Sequence, residues 1–248
     1  MPEKDLIKIS TEHGKKIIAT KDHSYITLSK DGEIVSIKGE ELTKNTYLPI
    51  PINYNKEELK YFFPEHLNKK KTNSKLLPEK IELDRSFGFF WGIFISEGYI
   101  KSEKTIEISN KNKEIQNKVI EFAKKIGINY NLNNKSICLF SKNLSNILMT
   151  YSYDIKDLNA IKRGIKGNFS RIKKIPDFAY FSPREFIYGL ISGLFSGDGR
   201  LIKDAKMLKG FELITVSKQL VDGTSDLLFS TGILNKIKER EYSYKNNK

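Results

Sequence analysis

The chain has 248 residues, of which 39% are hydrophobic and 29% are charged, and this balance excludes a globally disordered protein. Its longest apolar run, Phe87 to Ile95, is too short to cross a bilayer, and the first residues lack the apolar core of a signal peptide. Cys138 is the only cysteine, which excludes an internal disulfide and a thiolate zinc site. We therefore predict a cytoplasmic protein with no membrane partner.

The net charge of +13 is the first indication of function. Proteins that neutralise phosphates carry clustered Lys and Arg, and their binding weakens steeply with salt. The alternative is a lysine-rich composition spread over every face. Charge alone leaves these two interpretations balanced, so nucleic-acid binding has to be argued from motifs.

The N-terminal region is predicted to be rich in β-structure. Glu33 to Ile37 is strand-like, and Tyr47 to Pro51 continues that pattern. Thr20 and His23 lie close together in the block that precedes these strands. A lone histidine beside a strand is more often structural than catalytic. We assign residues 1–57 to this β-rich segment and residues 58–82 to a linker.

An internal repeat follows, at a shift of 101 positions. The first copy runs from Ser86 to Gly98 and the second from Ile187 to Gly199. The shift superimposes glycines on glycines and one acid on the other, in the pairs Gly88 and Gly189, Gly92 and Gly193, Glu97 and Asp198, and Gly98 and Gly199.

The spacing of the repeat predicts two closely packed helices. Gly88, Gly92 and Ser96 are four residues apart and form one stripe on a helix, as do their counterparts in the second copy. Glycine inside a helix costs about 1 kcal/mol relative to alanine, so two matched stripes indicate a compensating close approach of two helix backbones. Each helix would then end at an acid, and a divalent cation would relieve the repulsion between Glu97 and Asp198.

Similar patterns follow both copies. In the first, a strand at Ile106 to Ser109 precedes a helix ending at Lys125 and a hairpin between residues 128 and 140. In the second, a strand at Leu213 to Ser217 precedes a helix ending at Ser230. Each repeat therefore predicts an α+β module with an antiparallel sheet.

Both copies resemble the LAGLIDADG motif, also called the DOD motif, of homing endonucleases. Residues 90–98 and 191–199 match its nine positions, with Glu97 and Asp198 at the acid position. The resemblance implies two αββαββα units related by a pseudo-twofold axis, with the motif helices at the interface and the sheets in the major groove of double-stranded DNA. It also implies Mg²⁺ held by Glu97 and Asp198, and it is consistent with a monomer.

Two further segments resemble parts of inteins. Ile172 to Phe178 is similar to an intein-endonuclease segment that contributes an active-site lysine, for which Lys173 is the first candidate and Lys174 the second. The alternative is that this lysine is solvated or meets phosphate. Gly14 to Ile26, with Thr20 and His23, resembles a splicing block of the Hint fold, in which the histidine helps to activate a scissile peptide.

The sequence departs from the two resemblances at two points, and these departures favour functions other than splicing and double-strand cleavage. The catalytic ends of a splicing intein are not found, so we expect no self-splicing by this chain alone and treat Thr20 and His23 as a relic. Only 50 residues follow Asp198, which indicates a shortened second unit without its last strand and helix. The domain assignment is residues 83–248 for the endonuclease, with unit one at 83–170 and unit two at 171–248.

The sequence is compatible with three functions. The first is a site-specific endonuclease of the intein-homing type that hydrolyses phosphodiesters with Glu97, Asp198 and Lys173. The second is a protein that binds DNA, or structured RNA as maturases do, without cutting. The third is an inactive intein remnant. For either nucleic-acid function we expect positive charge on the sheet face near the acids, with candidates Lys101, Lys104, Lys135, Lys142 and Arg200.

Overall fold

The part of the chain described by the computed structural model, residues 5–52, 58–64, 67, 75–154, 169–204 and 207–241, contains five α-helices and twelve short β-strands. The helices are α1 (Arg85–Glu97), α2 (Lys113–Lys125), α3 (Lys142–Ser152), α4 (Arg184–Asp198) and α5 (Lys218–Ser230). The strands form small antiparallel sheets, so the α+β class predicted from the sequence is confirmed. Within the described residues, none of the helices could span a bilayer.

The chain divides into two units. The smaller unit joins Met1–Tyr54 to Leu228–Lys248, and the larger is Asn55–Leu227. In the smaller unit β1 (Leu6–Ser10) pairs with β2 (Lys16–Thr20), and β3 (Ser24–Leu28) pairs with β4 (Ile34–Lys38). These hairpins agree with the β-structure predicted at the start of the chain, but Tyr47 to Pro51, predicted to continue it, form no strand.

The C-terminal segment, predicted to lie in unit two of the endonuclease, contacts the N-terminal part of the chain. The described residues after α5 form no strand and bond instead to the turn between β1 and β2. Ile237 N donates to His13 O at 3.2 Å, and the Lys236 ammonium lies 2.6 Å from the Glu12 carboxylate. The region from Leu228 onward therefore belongs with the N-terminal strands.

The segment predicted as a linker, residues 58–82, contains packed structure in its described part. Tyr61–Phe62 (β5) pairs with Ile81–Glu82 (β6). Phe62 is buried, and its ring contacts those of Phe87 and Trp91. The apolar side chains of this segment are thus part of the core of the larger unit.

The first repeat folds in the order of elements that its patterns predicted. After α1 come β7 (Gly98–Ser102) and β8 (Thr105–Ile108), then α2, then β9 (Asn129–Leu132) and β10 (Ile137–Phe140), and finally α3. The four strands make one sheet in the order β7-β8-β10-β9. Each of these three helices begins at a capping side chain. Asp84 Oδ1, Asn112 Oδ1 and Ser141 Oγ each accept a hydrogen bond from a backbone N–H of the first turn.

The second repeat contains α4, β11 (Gly199–Asp204), β12 (Met207–Leu213) and α5. The strand predicted at Leu213 to Ser217 therefore ends where it was expected to begin. Its residues instead lead into α5, because Ser217 Oγ accepts the Leu220 N–H at 3.2 Å and caps that helix.

The core of the larger unit is built around α1. Phe90, Trp91, Ile93 and Phe94 are fully buried on different sides of this helix. Phe90 stacks on Phe122 of α2 with ring centroids 4.3 Å apart. A helix that is apolar on all sides lies inside a protein, and here it is enclosed by α2, the sheet and α4.

The glycine stripes of α1 and α4 face each other, as the repeat predicted. A Cβ on Gly92 would lie 2.1 Å from Leu190 O, and one on Gly193 would lie 2.2 Å from Phe89 O. The contacts of Gly88 and Gly189 are reciprocal in the same way, with Phe186 O at 2.0 Å and Arg85 O at 2.2 Å. The space that a side chain would fill at each glycine is occupied by a backbone carbonyl of the other helix. That carbonyl lies three residues before the matching glycine.

Gly92→Ala should destabilise the protein even though alanine favours helices. The added methyl group would collide with a backbone carbonyl that cannot move without separating the helices, at a cost of about 3 kcal/mol or more. Ser192→Ala, on the exposed side of α4, is the control and should change stability by less than about 0.5 kcal/mol. Urea denaturation measures both, and a Gly92→Ala variant as stable as the original protein would contradict the close approach.

Candidate active site at the ends of the paired helices

The two motif acids are the last residues of the two paired helices. Glu97 ends α1 and Asp198 ends α4, and a strand begins at the glycine that follows each acid. Both glycines have extended backbones, with φ of −97° at Gly98 and −81° at Gly199, rather than the left-handed conformation expected of a terminal glycine. Their role is steric, because a Cβ would lie 2.6 Å from Phe94 O and 2.3 Å from Phe195 O respectively.

The structure brings these helix ends together. A Cβ on Gly197 would lie 2.1 Å from Ser96 Oγ and 2.8 Å from Glu97 Cγ. Burial raises the pKa of Glu97, and the charge of Asp198 raises it further. Burial also raises the pKa of Asp198. Both carboxylates are therefore less stable in their charged form here than in water.

Lys173 is the cation of this site. Its side chain is only 9% exposed, and its Nζ donates to Ile95 O at 2.6 Å, Gly98 O at 3.0 Å and Ser96 O at 3.4 Å. An ammonium group has three donors, so these carbonyls at the end of α1 occupy all of them. Burial lowers the pKa of Lys173 to about 8, and the charges of Asp198 and Glu97 oppose that shift.

The backbone of Lys173 is held as firmly as its side chain. Its carbonyl accepts the Ser217 hydroxyl at 2.5 Å, and it bridges to Tyr153 just after α3. Lys174, the second candidate from the sequence, instead forms an ion pair with Asp177 at 2.9 Å. Of the two lysines, Lys173 is the one whose charge acts on both acids.

The donor set suits a hard divalent cation that also binds substrate. The described residues include no cluster of three or more His, Cys, Asp or Glu side chains placed to hold a metal. Mg²⁺ is usually held by one or two carboxylates, with water and phosphate oxygens completing its shell. Two carboxylates with raised pKa values fit that pattern, because a bound cation would offset their desolvation.

Charged side chains on and beside the sheets form ion pairs. Lys101, Lys142 and Arg200, three of the predicted basic residues, form ion pairs with Glu107, Glu103 and Glu212. The places of Glu107 and Glu212 beside their cations depend on strand register, which the sequence does not reveal. Lys104 and Lys135, the other two candidates, form no ion pair with any acid in the described part of the chain.

Thr20 and His23 lie in the smaller unit. Thr20 ends β2, and the His23 backbone N–H donates to Thr20 O at 3.1 Å in the turn before β3. The His23 side chain is exposed, and its ring packs edge-on against Tyr25 with centroids 5.1 Å apart. The structure thus brings the two predicted residues close in a turn of the β-rich segment.

Comparison with known families identifies the motif. Residues 84–160 and 185–248 match the LAGLIDADG-like domain. The chain belongs to the LAGLIDADG-like family. Membership supports a homing-endonuclease-like nuclease or a DNA-binding role, and members of the family generally include DNA endonucleases.

The relatives of this chain are longer proteins. It is 33% identical over 239 residues to a DNA-directed RNA polymerase subunit Rpo1C of Methanocaldococcus jannaschii, covering 90% of this chain and 26% of that protein. It is 30% identical over 242 residues to a transcription initiation factor IIB of the same organism, covering 96% and 28%. A DNA polymerase of a Thermococcus species is 31% identical over 128 residues, covering 50% and 7%. The chain thus spans about a quarter of the length of the first two.

Removing either acid should stabilise the metal-free protein. A carboxyl whose folded pKa is raised binds its proton more tightly folded than unfolded, so stability is lost as pH rises through that window. At neutral pH Glu97→Gln and Asp198→Asn should therefore melt at a higher temperature than the original protein in EDTA. Mg²⁺ should raise the melting temperature of the original protein more than that of either variant. Lower melting temperatures for both variants in EDTA would contradict the conclusion that the charged carboxylates of Glu97 and Asp198 destabilise the metal-free protein.

Lys173→Met should destabilise the protein, and Lys174→Met should not. The first change leaves three carbonyls at the end of α1 without their donor, at a cost of about 2 kcal/mol. The second removes an ion pair with an exposed aspartate, which contributes about 0 to 1 kcal/mol. Chemical denaturation compares the two, and equal losses would argue against the special position of Lys173.

Proposed function

We propose that this protein is a site-specific, metal-dependent DNA endonuclease of the intein-homing type. The observation that carries the proposal is the pair of motif acids, Glu97 and Asp198, at the touching ends of α1 and α4. The helix ends are held together by backbone contacts, and each acid is followed at once by a strand of a sheet. Two such half-sites in one chain are suited to the two strands of one duplex.

Glu97 and Asp198 would hold the divalent cation, for which we propose Mg²⁺. When bound, the ion stabilises negative charge on the attacking and leaving oxygens of the phosphodiester. Lys173 would act through its position, because its three donors are taken by carbonyls. It fixes the end of α1 and places positive charge beside the acids. Activation of the attacking water would then be left to the acids and the cation that they hold.

The relatives support the homing element of the proposal. Nearly the whole chain aligns with about a quarter of proteins that carry unrelated names, an RNA polymerase subunit and a transcription initiation factor. A stretch shared by proteins of different function is best explained as an inserted element with its own activity. A homing endonuclease is such an element, because cutting a site allows the element to be copied into it.

We propose that the smaller unit is a remnant of a Hint splicing domain, with Thr20 and His23 from its splicing block. The organisation of the chain supports this assignment. The N-terminal strands and the segment after α5 form one unit, and the larger unit is inserted between them. His13 Nδ1 lies 2.8 Å from Asn235 O, a direct link between the two parts of the smaller unit.

A second candidate is a protein that binds DNA without cutting it. It is favoured by the second repeat, where one hairpin and one helix follow α4 before the chain joins the smaller unit. The first repeat has two hairpins and two helices after α1. With less sheet beside Asp198, one strand of the duplex would be held less firmly than the other.

A cleavage assay with matched variants tests the endonuclease. The protein is incubated with a library of duplex targets, with and without Mg²⁺, and cut ends are sequenced. Glu97→Gln and Asp198→Asn should each abolish double-strand cleavage, because each removes charge that holds the ion, while DNA affinity stays nearly unchanged. Glu185→Gln, an exposed acid at the other end of α4, is the control and should cut normally.

The outcomes separate the candidates. Cleavage that survives both substitutions would show that these acids do not act. Salt-sensitive duplex binding without cleavage in any divalent metal would establish the non-cutting candidate. Neither binding nor cleavage would leave the chain as an inactive remnant.

A further inference from the structure

One outward-facing position recurs beside each motif acid. Tyr99 follows Gly98 on β7 and lies opposite Glu107 on β8, and Arg200 follows Gly199 on β11 and lies opposite Glu212 on β12. Residues directly opposite in an antiparallel pair share a face of the sheet. In the first repeat the neighbouring residues Gly98 and Ile108 are buried, so this pair lies on the face away from the helices.

Arg200 is oriented by its partner. Its Nε and Nη2 lie 2.6 Å and 2.5 Å from the same carboxylate oxygen of Glu212. These two contacts fix the plane of the guanidinium through one edge. The Arg200 side chain makes no further hydrogen bond to any residue that the structure describes, and it is 59% exposed. The end of the guanidinium, with Nη1 and the second hydrogen of Nη2, is therefore presented to solvent.

The pairing suits base recognition better than phosphate binding. A cation that attracts phosphate gains from net charge, and Glu212 cancels the charge of Arg200. A base edge instead requires donors held in a fixed direction, which the carboxylate provides. Guanine offers O6 and N7 as two acceptors in the major groove, and arginine is the usual partner for both at once.

We propose that the pair of Arg200 and Glu212 reads a guanine in the half of the DNA site that faces β11 and β12. Arg200 is the specificity-determining residue and Glu212 is its positioning residue. The inference rests on the proposed function. Arg200 is two residues beyond Asp198, roughly 7 Å along the strand, so the guanine lies close to the cleaved bond.

The first repeat has no equivalent reader. There Glu107 accepts hydrogen bonds from Tyr99 at 2.9 Å, Lys101 at 2.7 Å and Ser136 at 2.9 Å. These donors satisfy the carboxylate, and the position of Arg200 is taken by a phenol. The guanine requirement should therefore apply to one half of the target and not to the symmetric base of the other half.

Selection from randomised duplex DNA tests the proposal with the full chain, in Ca²⁺ to hold cleavage back. The original protein should enrich guanine at one position beside the centre of its target. Arg200→Lys keeps the charge but loses the two-pronged donor, and should reduce that preference by on the order of tenfold. Glu212→Gln should weaken the same preference without lowering overall affinity, because it removes negative charge that faces the duplex.

Lys203→Met, on the same strand, is the charge control and should leave the guanine preference unchanged. An equal loss of affinity on all sequences for Arg200→Lys, with no change in base preference, would mean a phosphate contact and would overturn the inference alone. An unaltered preference in both Arg200→Lys and Glu212→Gln would do the same. Absence of any duplex binding would overturn the proposed function and the inference with it.

Discussion

The contact on which the larger unit depends is made by backbone atoms. Four glycines on α1 and α4 let each helix press its carbonyls into the other where a methyl group would otherwise stand. Such a contact has no rotatable side chain in it, so the spacing of the two helix axes is set by van der Waals radii alone. Glu97 and Asp198 are the last residues of these helices, so the helix spacing also determines how far apart their backbones lie.

The same contact creates an electrostatic difficulty at the helix ends. It gathers two carboxylates and the negative ends of two helix dipoles in one partly buried place. Lys173 is the compensation, and it comes from a segment between the two repeats rather than from either motif. Its ammonium bonds only to carbonyls at the end of α1 and the start of β7, so the compensation is uneven and α4 ends without a comparable cap in the described residues.

Much of this arrangement could be predicted from the sequence because the repeat reports it twice. The facing stripes could be predicted from glycines at a spacing of four. The place of Lys173 near the acids could be predicted because the segment that contains it resembles one with an active-site lysine in related endonucleases. The saturation of its donors could not be predicted, since it depends on where α1 ends in space. The pairing of Glu107 and Glu212 with cations could not be predicted, because it depends on strand register. The place of residues 228–241 could not be predicted either, because it depends on contacts with a turn more than 200 positions earlier.

The position of Lys173 has a consequence for the order of folding. Its ammonium bonds to carbonyls 75 to 78 residues before it in the chain, and the facing helix arrives later still. Contacts of such long sequence range require loop-closure entropy to be lost before they can form, and they slow folding. During synthesis the first repeat can acquire its sheet and helices while α1 still lacks its partner. The centre formed by Glu97, Asp198 and Lys173 therefore cannot be complete until α4 has been synthesised.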